Sequence, residues 1–276
     1  MEDCTFISRT GGSYPNGKYH VHLSDTNTLR MAIYGDSFGD SGFIKLEKGV
    51  RNIERWWTTI LARKMQAKIV DNYSASGTPF IFSYKNFLQN YKNYDINIVL
   101  VTQPNRYTKP IKLSIDYFID ELQYRAPNVP TLESIKKDKR LSKDDITHID
   151  NLLNWYIVND ADFMKTAQNL MLTDILRLAP NTILVPCFSD SMNDLLNSTK
   201  CLTELFVYQY KLFGINMDDI KKYTERYDVI ACHFTPEMNI AIADLIYERI
   251  TTGKWNWDFP KVKHEHPIEY YYTLEN

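Results

Sequence analysis

The chain has 276 residues, 44% of them hydrophobic and 24% charged, and its 32 Lys plus Arg nearly cancel its 34 Asp plus Glu to leave a formal charge of −2. A chain of this length buries roughly 70–75% of its unfolded surface without a disulfide or metal staple. Its 13% aromatic content excludes a disordered chain, and its balanced charge argues against a dedicated nucleic-acid binder.

Residues 1–26 are polar and turn-rich and read as an irregular arm with one short strand at Tyr19–Leu23. Leu29–Tyr34 is a short apolar run ended by Gly35, the pattern of a buried strand. Val50–Met65 carries Val50, Ile53, Trp57, Ile60 and Leu61 at helical spacing. Ala67–Tyr73 reads as a second strand of this type, Phe80–Tyr91 as a helix and Ile96–Thr102 as a third strand. Residues 106–147 are the least regular, with the charged run Lys136–Arg140 read as a solvated loop. Ile149–Leu178 is a long helical pattern broken near Asn159-Asp160, and Thr182–Cys187 is a fourth strand. Met192–Phe213 reads as mostly helical, Glu237–Ile250 as an amphipathic helix, and the segment from Thr251 as an aromatic tail.

Strands that alternate with helices favour a parallel sheet covered on both faces. The expected fold is a three-layer α/β/α sandwich with a mainly parallel central sheet. It is expected to form one domain with an N-terminal arm 1–26, an insertion 106–148 and a tail 251–276. Ligands of open α/β sheets bind outside the C-terminal ends of the strands. The residues of interest are therefore those just after Tyr34, Tyr73, Thr102 and Cys187.

The turn after the first of these strands is Gly35-Asp36-Ser37-Phe38-Gly39. It matches the G-x-S-x-G elbow of α/β-hydrolases, but that elbow follows several strands and this turn follows one. After the second strand comes Gly77, after the third Gln103-Pro104-Asn105, and before the last helix Ala231-Cys232-His233-Phe234-Thr235-Pro236. In this order and placement, the segments resemble the four blocks of the SGNH or GDSL hydrolases. Phe38 stands where that family usually has Leu. The neighbours of Asn105 differ from the family's Gly-x-Asn-Asp. Ile230 occupies the position of the family's acid three residues before the His, and Asp228 is the nearest upstream carboxylate.

The resemblance implies a serine esterase acting through an acyl-enzyme, with no cofactor. Ser37 would be the nucleophile, His233 the base and Asp228 the orienting acid. Ser37, Gly77 and Asn105 would form the oxyanion hole. Asp36, adjacent to the nucleophile, is expected to order the turn rather than to take protons. The implied substrates are small-molecule or carbohydrate esters, with carbohydrate O-acetyl esters favoured by the family's range and the surplus of aromatic residues. Two other functions are compatible with the same blocks: a non-catalytic binding or virion module, and an O-acyltransferase.

The pairs His20/His22 and His264/His266 suit a metal in spacing, but no third ligand is evident and surface strands are the simpler reading. Trp56-Trp57 divides between core and interface, and Trp255 with Trp257 reads as a tail docked on the core rather than a sugar platform. Cys4, Cys187, Cys201 and Cys232 show no framework spacing and read as buried free thiols. No apolar run reaches the ~18–20 residues of a membrane span. The first residues lack the basic and apolar regions of a signal peptide. A cytoplasmic location is the expectation, and the richness in Asn, Ile, Lys and Tyr fits an AT-rich genome such as that of many viruses.

Overall fold

Among the described residues the polar arm supplies β1 (Tyr19–His22), and the apolar runs form β2 (Arg30–Tyr34), β3 (Ile69–Asn72), β4 (Ile96–Val101) and β5 (Ile183–Pro186). The structure, a computed structural model, describes residues 19–36, 38–40, 56–75, 78–104, 133, 136–137, 139–158, 161–189, 192–212, 234–258 and 262–263. Among these residues the α-helices are α1 (Trp57–Lys64), α2 (Phe80–Asn90), α3 (Lys143–Val158), α4 (Ala161–Leu178), α5 (Leu202–Leu212) and α6 (Pro236–Thr252).

The sheet order is β1-β3-β2-β4-β5. β3, β2, β4 and β5 run parallel, and β1 pairs antiparallel with β3 at the edge. A parallel sheet is covered on both sides, so its strands are apolar at successive positions rather than alternately. β2 shows this: Met31 and Ile33 pack with Trp57, Leu61, Met238 and Ile242 from α1 and α6. Ala32 and Tyr34 pack on the other face with Phe80, Phe87, Leu172 and Ile175 from α2 and α4. The expected three-layer sandwich is the observed fold. Strand order reverses at β2, with β3 on one side and β4 and β5 on the other; ligands of open α/β sheets bind at such switch points, outside the C-terminal ends of the strands.

Two expected boundaries shift. The stretch read as irregular up to 147 already becomes helix at Lys143. Ser142 and Asp145 cap it reciprocally: the Ser142 hydroxyl accepts the Asp145 N–H (3.1 Å), and the Asp145 carboxylate accepts the Ser142 N–H (2.9 Å). Within the pattern 192–213, read as mostly helical, the described residues hold two separate pieces. A short 3₁₀ turn at Asp194–Leu196 ends at Asn197, whose φ of 46° is left-handed, and α5 starts afresh at Leu202. Asn193 drives the break by accepting the Leu195 N–H on its side chain.

The docked reading of the tail holds for its described part. Trp255 and Trp257 stack at 5.4 Å, and their indole N–H groups donate to the Leu196 carbonyl and the Ser198 hydroxyl. Cys187 and Cys201 are buried, and burial pushes the Cys201 thiol up from its ordinary value. Among the described residues, no helix is long and apolar enough to cross a membrane. Cys4, Cys232, His264, His266, most of the expected insertion and the end of the tail lie outside the described residues.

A network of phenols ties the edge strand to the face covered by α2 and α4. The His20 ring bonds Asp71 through Nδ1 at 2.7 Å, Tyr94 donates to the other Asp71 oxygen, and the Tyr73 hydroxyl meets that of Tyr94 at 2.7 Å. Tyr34 stacks on Tyr73 at 5.2 Å and donates to Asn97. Burial raises the Tyr34 and Tyr94 phenols well above the ordinary tyrosine range, and for Tyr94 the bond to Asp71 adds to it. Unfolded tyrosines ionise near about 10. Above that pH the unfolded chain sheds protons that the folded chain retains, so stability falls as pH rises; below it the contribution is complete. Alkaline titration followed by tyrosinate absorbance is expected to show these phenols ionising only as the fold is lost. Ionisation of every tyrosine ahead of unfolding would contradict this.

Candidate active site

The chain leaves β2 at Gly35 and turns over Asp36. The Asp36 carbonyl accepts the N–H groups of Gly39 and Asp40, both at 3.0 Å. Its side chain, 1% exposed, accepts the Phe38 N–H at 3.1 Å on one oxygen and the Thr102 hydroxyl on the other. The carboxylate therefore orders the turn, as expected from the sequence, and also bridges the ends of β2 and β4.

The turn is fastened from behind by side-chain donors. The Phe38 carbonyl accepts the Trp57 indole N–H at 2.7 Å. The Gly39 carbonyl accepts the Trp56 indole N–H at 3.1 Å and the Asn72 amide at 2.7 Å. Both tryptophans are fully buried, which corrects the expectation that this pair divides between core and interface. The turn also lies flush on its neighbours. A Cβ at Gly35 would meet the Leu100 Cβ at 2.7 Å, and one at Gly39 would meet the Ser74 Oγ at 2.2 Å. Glycine is required there for close approach.

Two further segments reach the same edge. After β3, the Ala75 N–H donates to the Gly35 carbonyl at 3.1 Å, and the Thr78 hydroxyl donates to the Ala75 carbonyl at 2.7 Å. At the start of α6, the Phe234 ring lies 5.7 Å from that of Phe38, and Phe188 meets Phe38 edge-on at 5.2 Å. Thr235 caps α6 by accepting the Met238 N–H. Asn239, fully buried in the first turn of α6, accepts the Trp57 backbone N–H at 3.3 Å. Its amide donates to the carbonyls of Phe234 and Thr235, both at 3.0 Å. A continuous path thus runs from Phe38 through Trp57 and Asn239 to Phe234.

Ser37, Gly77, Asn105, Asp228 and His233 lie outside the described residues. Phe38 and Phe234, which the structure brings together, directly follow Ser37 and His233 in sequence. Ala75 and Thr78, which flank Gly77, bond at the base of the same turn. Thr102, three residues before Asn105, bonds Asp36. Asp228 has no described residue within five positions of it. The histidine pair on β1 is committed elsewhere: His20 bonds Asp71, and His22 lies 3.4 Å from Asp25. Among the described residues, no three His, Cys, Asp or Glu side chains gather as metal ligands would.

Sequence reasoning missed Asn72, Thr102, Gln168 and Asn239. A signal existed for two of them. Gln168 and Asn239 are polar residues on otherwise apolar helical stripes, Met164-Gln168-Leu172-Ile175 and Met238-Asn239-Ile242-Ile246, and both are buried. A buried amide on such a stripe needs partners across the interface.

No protein-family model matches the chain, and no curated protein matches it. Among solved structures, a family two carbohydrate esterase from Clostridium thermocellum, in complex with cellohexaose, is similar at 11% identity and TM-score 0.36, over 84% of this chain and 67% of that one. A putative GDSL-like lipase from Parabacteroides merdae is similar at 14% identity and TM-score 0.39, over 84% of this chain and 100% of that one. LAE5, an alpha/beta hydrolase enzyme from the metagenome of Lake Arreo, Spain, is similar at 14% identity and TM-score 0.36, over 81% and 96%. Likenesses at this level do not bear on activity.

The fastening of the turn has a measurable energy. Trp57→Phe keeps most of the buried ring but removes the N–H, leaving the Phe38 carbonyl buried without its donor. A loss of about 1–3 kcal/mol is expected, read by urea unfolding. A variant as stable as wild type would show that the indole bond contributes nothing.

Proposed function

We propose that the chain is a serine ester hydrolase acting through an acyl-enzyme at the C-terminal edge of β2, β3 and β4. The observation that carries this reading is the packing of Phe38 on Phe234 at 5.7 Å. It joins the residues that follow Ser37 and His233, which lie far apart in sequence. Chemistry that needs a hydroxyl beside an imidazole requires such a convergence, and a helix cap at Ser37 alone does not. The bonds from Ala75 and Thr102 to the same turn support Gly77 and Asn105 as its companions.

In the proposed reaction the Ser37 Oγ attacks the ester carbonyl carbon while His233 takes its proton. The carbonyl oxygen becomes an oxyanion held by the backbone N–H groups of Ser37 and Gly77 and the Asn105 side-chain amide. Collapse expels the alcohol, which leaves with the proton from His233. Water, deprotonated by the same imidazole, then releases the acid and restores Ser37. Asp228 is assigned to orient the imidazole. The proposed substrates are esters of small alcohols or of sugar hydroxyls. The chain is proposed to form one domain and to work in the cytoplasm.

Hydrolysis of p-nitrophenyl acetate and labelling by a fluorophosphonate test the reading. Wild type is expected to be labelled, and Ser37→Ala is expected to lose both label and activity. His233→Ala is expected to lose about 10²–10⁴-fold in rate, and Asp228→Ala up to about 10⁴-fold. An unlabelled wild type, or Ser37→Ala hydrolysing at the wild-type rate, would favour the non-catalytic alternative that Ile230 in the acid's place suggests. Full activity in Asp228→Ala removes only the acid assignment.

A further inference from the structure

Gln168 faces the sheet from α4, between Met164 and Leu172, and is 1% exposed. Its Nε2 donates to the Thr102 carbonyl at 2.7 Å. Its Oε1 is shielded from solvent and accepts from no group among the described residues. A buried acceptor without a partner costs roughly 1–3 kcal/mol. A leucine or methionine at 168 would fill the same space and remove that orphan, but it would leave the buried Thr102 carbonyl without its donor, so the glutamine exchanges one unpaired acceptor for another rather than adding net stability. The orientation of the amide follows from its neighbour: a carbonyl can meet only its donor side, and the oxygen is left over. The unpaired oxygen is thus the consequence of placing a donor at this one point.

The point is well chosen. Thr102 ends the segment that leads from β4 to Asn105, and its hydroxyl donates to the Asp36 carboxylate. The other oxygen of that carboxylate accepts the Phe38 N–H at 3.1 Å. A line of polar contacts therefore runs from the inner face of α4 through Thr102 and Asp36 to the residue that follows Ser37. We propose that Gln168 is a positioning residue of the esterase site. By holding the Thr102 carbonyl it sets the segment that presents Asn105 and, through Asp36, the turn that presents Ser37. This rests on the serine-esterase reading. A residue that aligns the nucleophile and one oxyanion donor acts on the transition state more than on substrate binding, so its loss falls on kcat rather than on KM.

The test compares wild type, Gln168→Met and Gln168→Glu as full chains, by p-nitrophenyl acetate kinetics and fluorophosphonate labelling rates, with urea unfolding alongside. Gln168→Met is expected to remain folded and to lose about 10–100-fold in kcat with KM within about twofold. Gln168→Glu has the same shape and carries a pH-dependent donor. Its ionised carboxylate opposes the Thr102 carbonyl, and its protonated form offers an O–H in place of the lost N–H. The ratio of its labelling rate to that of wild type is therefore expected to rise as pH falls through the carboxyl titration. The same ratio for Gln168→Met is expected to stay flat. A flat ratio for Gln168→Glu, or a kcat for Gln168→Met within about twofold of wild type, overturns the proposal. If Gln168→Met does not fold, the ratio for Gln168→Glu decides. An unlabelled wild type overturns the esterase reading together with the proposal, whereas a labelled wild type with unaffected variants overturns the positioning role alone.

Discussion

Two consecutive backbone carbonyls, those of Phe38 and Gly39, are buried at the end of β2 and have to find donors that no strand or helix supplies. The donors are the indole N–H groups of Trp57 and Trp56, joined at Gly39 by Asn72. A buried main-chain acceptor left empty is costly, so the turn and the start of α1 stabilise each other. The tryptophans also bring the driving force, since rings of this size bury on the order of 150–250 Å² each. Packing energy collected in the core is thereby used to hold a short turn at the rim in one shape.

The same rigidity reaches the last helix. Asn239 closes the path between Trp57 and Phe234 with three hydrogen bonds and is wholly buried. The start of α6 is therefore registered against the start of α1 directly, rather than through the sheet. On the opposite face Asp36, Thr102 and Gln168 make an equivalent tie to β4 and α4. The turn after β2 sits where the strand order reverses, and it is held from both layers of helices.

Much of the fold was legible because parallel strands buried on both faces are short apolar runs, and Leu29–Tyr34, Ile96–Thr102 and Thr182–Cys187 are such runs. Boundaries were less legible where a single polar side chain decides them. Ser142 and Asp145 begin α3 by capping each other, and Asn193 and Asn197 break the helical pattern after 192. For the candidate site, the motif order Gly35-Asp36-Ser37, Gly77, Asn105 and His233 could be read from residue types. The residues that fasten the turn could not. Trp56 and Trp57 look like ordinary core residues until their N–H partners are known. Gln168 and Asn239 stand out as polar positions on apolar helical stripes, but their partners are known only once the helices that carry them are docked.

The antiparallel pairing of β1 with β3 bears on where the chain tolerates shortening. Tyr19–His22 covers the outer side of β3, in a register from Tyr19 opposite Asn72 to His22 opposite Ile69. Stripping those few residues would uncover a row of main-chain amides and carbonyls along β3, the template on which foreign strands add and aggregates grow. A mostly polar stretch that gives only Val21 to the core can in this way decide whether the molecule stays in solution.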